Sequence, residues 1–152
     1  MIFLTAEQIL FLHARLVAET GGGHGVRDLS MLLSATGRPQ ASFDSQDLYP
    51  DLFTKAGALM DSLIRNHPFL DGNKRTGIAA AAMFLRLNGY SLEAANDELE
   101  KFTLEVAQSQ HTLNEIAAWL QGHTRLLKPL GGDPSGRQRT PSQERRTNQP
   151  SG

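Results

Sequence analysis

From Gly77 to Leu85 the chain offers no polar side chain to any face of a helix. A helix that is apolar all round belongs inside a protein, with other elements packed about it. The run ends at Arg86 and falls far short of the roughly 20 residues needed to cross a bilayer, so it reads as a buried central helix of a soluble fold. Its small residues, Gly77 and Ala79 to Ala82, let neighbours approach closely. The helix spans Arg75 to Asn88, and Asn88-Gly89 supplies a left-handed stop.

The rest of the chain provides amphipathic helices to surround it. Thr5 with Gln8 forms a capping box, and Ile9, Leu12, Leu16 and Val17 follow at helical spacing, giving a first helix to about Thr20. Gly21-Gly22-Gly23-His24-Gly25 stops it. Asp28 caps a short second helix through Leu29, Leu32 and Leu33, ended by Gly37 and Pro39. Gln40 to Pro50 has no clear period and reads as a loop or short hairpin. A third helix carries Leu52, Ala56, Leu59 and Leu63 on one face and ends before Pro68, which disfavours helical geometry at His67. Asn96 caps a fifth helix to about Ser109, and Thr112 with Glu115 opens a sixth containing Ile116, Trp119 and Leu120. There is no internal repeat and no convincing long strand. The expectation is an all-α fold, a compact bundle of about six helices with a short hairpin or flap.

Charge divides the chain in two. Through Thr124 there are nine Lys/Arg against fourteen Asp/Glu, a balance of −5; from Arg125 onward six basic residues face two acidic ones, a balance of +4. An acidic body is a poor surface for phosphate neutralisation, so direct nucleic-acid binding is not expected. Lys128 to Gly152 is rich in Pro, Gly and Ser and carries one aliphatic residue, Leu130. It cannot bury enough apolar surface to offset ordering, so the domain is expected over 1–127 with a disordered basic tail over 128–152. The chain has no cysteine, which excludes disulfides and thiolate metal sites. Its start lacks a basic region and is interrupted by Glu7, so it is no secretory signal, and a cytoplasmic protein with no membrane association is the default.

Chemistry concentrates in the loop between the third and fourth helices, His67-Pro68-Phe69-Leu70-Asp71-Gly72-Asn73-Lys74-Arg75. A helix N-terminus presents unpaired N–H groups and a partial positive charge, and so binds anions. Gly72 permits a turn that gathers such groups into a nest. Asn73 adds an amide or caps the helix, and Lys74 and Arg75 add positive charge suited to phosphate. Asp71 is a salt-bridge partner or, beside bound phosphates, a magnesium ligand. His67 can take a proton near neutral pH. Phe69 anchors the loop in the core. Taken singly, each has an ordinary reading: a His that bonds a helix end, an Asp-Gly-Asn turn, surface charge. Their conjunction within nine residues favours a phosphate-binding helix head with a candidate general base. No P-loop, dinucleotide fingerprint, protein-kinase motif set or H-E-x-x-H pair is present. His13, His24, His111 and His123 are scattered and read as surface or structural residues.

At this loop the sequence resembles the Fic/Doc superfamily, whose signature H-x-F-x-[DE/N]-[GA]-N-[GK]-R is matched in register by His67, Phe69, Asp71, Gly72, Asn73, Lys74 and Arg75. Gly25-Val26-Arg27-Asp28, Arg38-Pro39-Gln40 and Leu87-Asn88-Gly89-Tyr90 also look like the death-on-curing (Doc) branch, and the similarity spans roughly residues 3 to 124. Fic-type AMP transferases usually carry glycine where this chain has Lys74, often with a second Arg further on. Here Thr76, Gly77 and Ile78 follow, which is the Doc pattern.

The resemblance implies a toxin that transfers the γ-phosphate of ATP to a Ser/Thr hydroxyl of elongation factor Tu and so arrests translation. It assigns His67 as general base, Asp71 as the Mg2+ ligand, and Gly72, Asn73, Lys74 and Arg75 to the nucleotide phosphates. It places a flap that aligns the target over Gln40 to Tyr49. It also implies an antitoxin acting in trans, since no internal [ST]-x-x-x-E-[GN] inhibitory motif occurs; the nearest, Thr140 to Arg145, ends in Glu-Arg. Two other readings stand beside it: AMP transfer to a protein hydroxyl, and a non-catalytic adaptor whose loop merely binds an anion.

Overall fold

The computed structural model describes residues 1–127. The tail expected over 128–152 lies outside them. Six helices follow one another: α1 (Ala6–Thr20), α2 (Leu29–Gly37), α3 (Leu52–Arg65), α4 (Asn73–Leu87), α5 (Asn96–Ala107) and α6 (Leu113–Gly122). The fold is mostly helical, as the spacing implies.

The helix starts follow their capping residues. Thr5, Asp51 and Thr112 each accept from an N–H in the first turn of α1, α3 and α6, and the third residue of each helix reaches back to close the box. Asp28 caps α2 through the Met31 N–H. Such caps typically contribute about 1 kcal/mol each. The fifth helix differs from expectation. Asn96 is its first helical residue, and the capping position falls on Ala95, whose N–H is taken by the Glu98 carboxylate at 3.0 Å.

Burial revises the choice of central helix. Lys55 to Met60 and Ser62 to Ile64 are buried on all sides of α3, which packs against α2, α4, α5 and α6. In α4, by contrast, Ile78, Ala79, Ala82 and Met83 are only half-buried. Alanine exposes little apolar area, and at about 25 cal/mol per Å² a partly bare methyl costs well under 1 kcal/mol. An alanine run therefore satisfies a helix whose outer face is only partly covered. Gly77 does serve close packing: a Cβ there would lie 2.5 Å from Ile64 Cγ1 and 3.4 Å from the Met60 carbonyl oxygen. On α2 only Leu32 and Ala35 are buried, while Leu29 and Leu33 are exposed.

Two short antiparallel pairs complete the fold. Strands β1 (Ser42–Phe43) and β2 (Gln46–Asp47) form the expected hairpin, turning at Asp44 and Ser45, both with positive φ as a two-residue hairpin turn needs. Its base is tied to α3 by the buried Lys55, whose Nζ donates to Asp47 at 3.0 Å and to the Pro39 carbonyl at 3.2 Å. The second pair, β3 (Tyr90–Leu92) with β4 (Thr124–Leu126), closes the end of α4 against the end of α6. No strand was expected there; three residues are too few for a two-residue alternation to register in the sequence. Among the described residues no helix is long and apolar enough to cross a membrane.

Candidate active site

The loop begins where α3 must stop. Asn66 ends the helix, and Pro68 lacks the N–H that a helix-terminating backbone bond would use. His67 between them takes φ +50, the left-handed position at which helices usually place glycine. For a residue with a side chain that conformation costs about 1–2 kcal/mol. It leaves His67 exposed at the rim of the loop, beyond the end of α3.

A neighbouring segment stabilises this turn. Val26 forms an isolated bridge with Phe69, the N–H groups of Arg27 and Asp28 both reach the Pro68 carbonyl, and Leu70 N–H donates to the Gly25 carbonyl. The Arg27 side chain adds two bonds, from Nε to the His67 carbonyl at 2.6 Å and from Nη2 to the Asn66 carbonyl at 2.8 Å. Phe69 plugs the loop into the core, 1% exposed, as its type implies. Its ring stacks on buried His13 with centroids 3.8 Å apart, and His13 Nε2 donates to the Asp71 carbonyl at 2.8 Å.

Asn73 spans the loop from within. Its Oδ1 accepts from the Phe69 N–H and its Nδ2 donates to the Phe69 carbonyl, both at 3.0 Å, and the side chain is buried. This paired bond fixes the loop's shape, so what Asn73 directs outward is chiefly its backbone N–H. Helix α4 consequently opens at Asn73, ahead of Arg75. Its N-cap is Gly72, in left-handed geometry (φ 78, ψ 18) and with no side chain to cap the helix. The first-turn N–H groups of Asn73, Lys74 and Arg75 have no capping acceptor, which is the condition for an anion site at a helix head.

These residues open onto a cleft of about 630 Å³ lined by Asp71 to Arg75 on one wall and by α5 residues on the other, Lys101 together with the carboxylates Asp97 and Glu100. That volume suits a small ligand of nucleotide size. Lys74 and Arg75 are exposed at its mouth, and Arg75 Nη2 also reaches the Gly21 carbonyl at 3.4 Å. His67 does not line this cleft. It stands exposed at the other end of the same loop, while Asp71, Gly72, Asn73, Lys74 and Arg75 come together at the cleft.

Asp71 is held in its ionised form. Its Oδ1 accepts from the Gly72 N–H at 2.8 Å and its Oδ2 from the Gly23 N–H at 3.3 Å. These two bonds, then the charges of Arg75 and Lys74, lower its carboxyl below the ordinary 3.8. Gly22 passes so close that a Cβ there would lie 2.6 Å from Oδ2. Among the described residues no three potential ligands gather around a metal position. A magnesium ion is commonly held by one or two carboxylates, with water and substrate phosphates supplying the rest. A charged Asp71 beside an uncapped helix head fits that arrangement.

Two positioning residues escape a reading by residue type. Arg27 belongs to the Gly25–Asp28 segment, whose sequence carries no sign that it meets the loop some 40 positions on. His13 is visible only as a polar residue on an otherwise apolar helix face.

The fold and this loop define a mostly helical domain that carries an uncapped helix head and an exposed imidazole on one loop. The model for the Fic/DOC family matches residues 3–85. Two relatives extend the likeness: Toxin Doc of Mycolicibacterium smegmatis, 48% identical over 121 residues (78% of this chain and 86% of the relative), and Protein kinase doc of Escherichia phage P1, 29% identical over 121 residues (80% and 94%). The chain belongs to the Fic/Doc family, within its Doc branch.

Proposed function

We propose that this chain is a Doc-type toxin that transfers the γ-phosphate of ATP to a Ser/Thr hydroxyl of a translation factor, elongation factor Tu being the first candidate. The observation that carries the choice of reaction is Lys74 lining the cleft at the head of α4. AMP transferases of this superfamily usually carry glycine there, which leaves room for a diphosphate. A lysine occupies that room and favours a nucleotide whose terminal phosphate is presented. The names of the two relatives, a toxin and a protein kinase, support the same reading.

In this mechanism the target hydroxyl approaches from the rim of the loop and His67 accepts its proton. The hydroxyl oxygen forms a bond to the γ-phosphorus as the bond from that phosphorus to the β–γ bridging oxygen breaks, and ADP leaves. The N–H groups at the head of α4, with Lys74 and Arg75, hold the phosphate oxygens; such positioning and charge stabilisation supply most of phosphoryl-transfer catalysis. Asp71 would hold Mg2+, which would supply positive charge to the phosphates. The β1–β2 hairpin would align the target. Restraint by an antitoxin in trans and action in the cytoplasm, where the translation factor is found, complete the proposal.

Incubation of the purified chain with elongation factor Tu and ATP labelled at either the α- or the γ-phosphate tests it. Label retained from the γ-position only, and lost with His67→Ala, is the expected result. Retention of α-label would instead assign AMP transfer. Absence of transfer, with nucleotide binding unchanged by His67→Ala, would leave an anion-binding adaptor.

A further inference from the structure

We infer that Arg27 is the positioning residue for His67: its guanidinium holds the left-handed turn that presents the imidazole. The turn is the only departure from ordinary backbone geometry between α3 and Gly72, among residues that carry a side chain. Nothing in the loop itself accounts for its persistence. Pro68 has no N–H to donate back to α3, and Phe69 and Asn73 fix the chain only from Phe69 onward.

The carbonyls on either side of the turn are held instead from α2's approach segment. Arg27 Nε and Nη2 grip the successive carbonyls of His67 and Asn66 at 2.6 and 2.8 Å, while the Arg27 and Asp28 N–H groups grip Pro68 at 2.8 and 3.1 Å. In the turn that φ +50 at His67 sets, the two carbonyls face one guanidinium edge. A planar fork with fixed spacing enforces this; an ammonium, which presents one nitrogen, does not. Arg27 makes no ion pair with a carboxylate among the described residues, and its guanidinium donates to these carbonyls at the negative end of α3. The side chain is exposed and adds little to the core. Its removal is therefore expected to change the turn and to leave the fold intact.

Because the catalytic part of this inference rests on the proposed phosphotransfer, its test has a structural arm that needs no activity. In 15N-labelled protein the close approach of the His67 amide and α protons, a property of positive φ, should be strong in the wild type. It should be lost in Arg27→Ala and partly regained in Arg27→Lys, with the amide spectrum of α1 and α4 to α6 unchanged. In the transfer assay Arg27→Ala should lower kcat by about tenfold to a hundredfold, the scale of small misplacements in an active site, and leave KM for ATP within about twofold. If Arg27→Ala keeps the His67 signature, or raises KM with kcat unchanged, the inference is wrong. Should the wild type transfer nothing, the proposed function fails, and the His67 signature still decides the role of Arg27. If Arg27→Ala fails to fold, Arg27→Gln, which retains one donor, gives the same comparison.

Discussion

A glycine would end α3 more comfortably than His67 does. The left-handed backbone at this position carries a cost that a residue without a side chain escapes. His67→Gly should accordingly hold or raise stability to urea, by up to about 1 kcal/mol, while phosphate transfer falls to the level of His67→Ala. A clear loss of stability would mean that the imidazole has a structural role that its exposure does not suggest. Asp71 provides a second prediction. Its folded pKa lies below the unfolded value because Gly72 and Gly23 donate to it, aided by Arg75 and Lys74. The carboxylate's contribution to stability is then fully present above about pH 3.8–3.9 and is lost as pH falls through the folded value. Carboxyl-carbon NMR should place the Asp71 titration below 3.8, and the difference between wild type and Asp71→Asn should shrink only under that acid condition. At this scale the sequence was informative about chemistry and silent about contact. Base, carboxylate and cations could be read from residue types within one loop, whereas Arg27 and His13 act on it across 40 and 58 positions.

Helices α3 and α4 form the frame that aims the site, and their closeness depends on one missing methyl. Gly77→Ala should gain about 1 kcal/mol of helix propensity yet lose more through the 2.5 Å approach to buried Ile64. A net destabilisation of about 1–2 kcal/mol in urea unfolding is expected. A stabilised variant would show that the two helices can separate at no cost. Element boundaries were legible at the side-chain caps Thr5, Asp28 and Thr112, whereas the Asp51 cap of α3 emerged only in the structure. They were not legible where the backbone supplies the stop or start. Gly72 opens α4 through its left-handed geometry, and Ala95 precedes α5 with only Glu98 returning to it. The all-apolar run pointed to α4 as the centre because pattern alone does not weigh alanine against leucine. Depth of burial gives that place to α3, whose Leu59, Leu63 and Ile64 carry more area per residue.

Across the described residues, an acidic body carries a paired lysine and arginine at the head of α4. Lys74 and Arg75 stand at a helix head in a region whose balance through Thr124, these two included, is −5. This suits recognition of a compact, multiply charged ligand at a single point and disfavours a nucleic-acid track. Residues 1–127 contain every element of that arrangement, so a chain ending at Leu127 should match the full chain's stability to within about 0.5 kcal/mol and retain nucleotide binding. A marked loss of either would assign the remaining residues a part in the domain. The central physical claim is that the uncapped head of α4, with Lys74 and Arg75, receives the phosphates. Titration of 15N-labelled protein with a non-hydrolysable ATP analogue and Mg2+ addresses it directly. The account predicts saturable shifts that are largest at the amides of Gly72, Asn73, Lys74 and Arg75, with affinity weakened in Lys74→Ala and Arg75→Ala. Saturable shifts elsewhere, with these four amides unmoved, would contradict it.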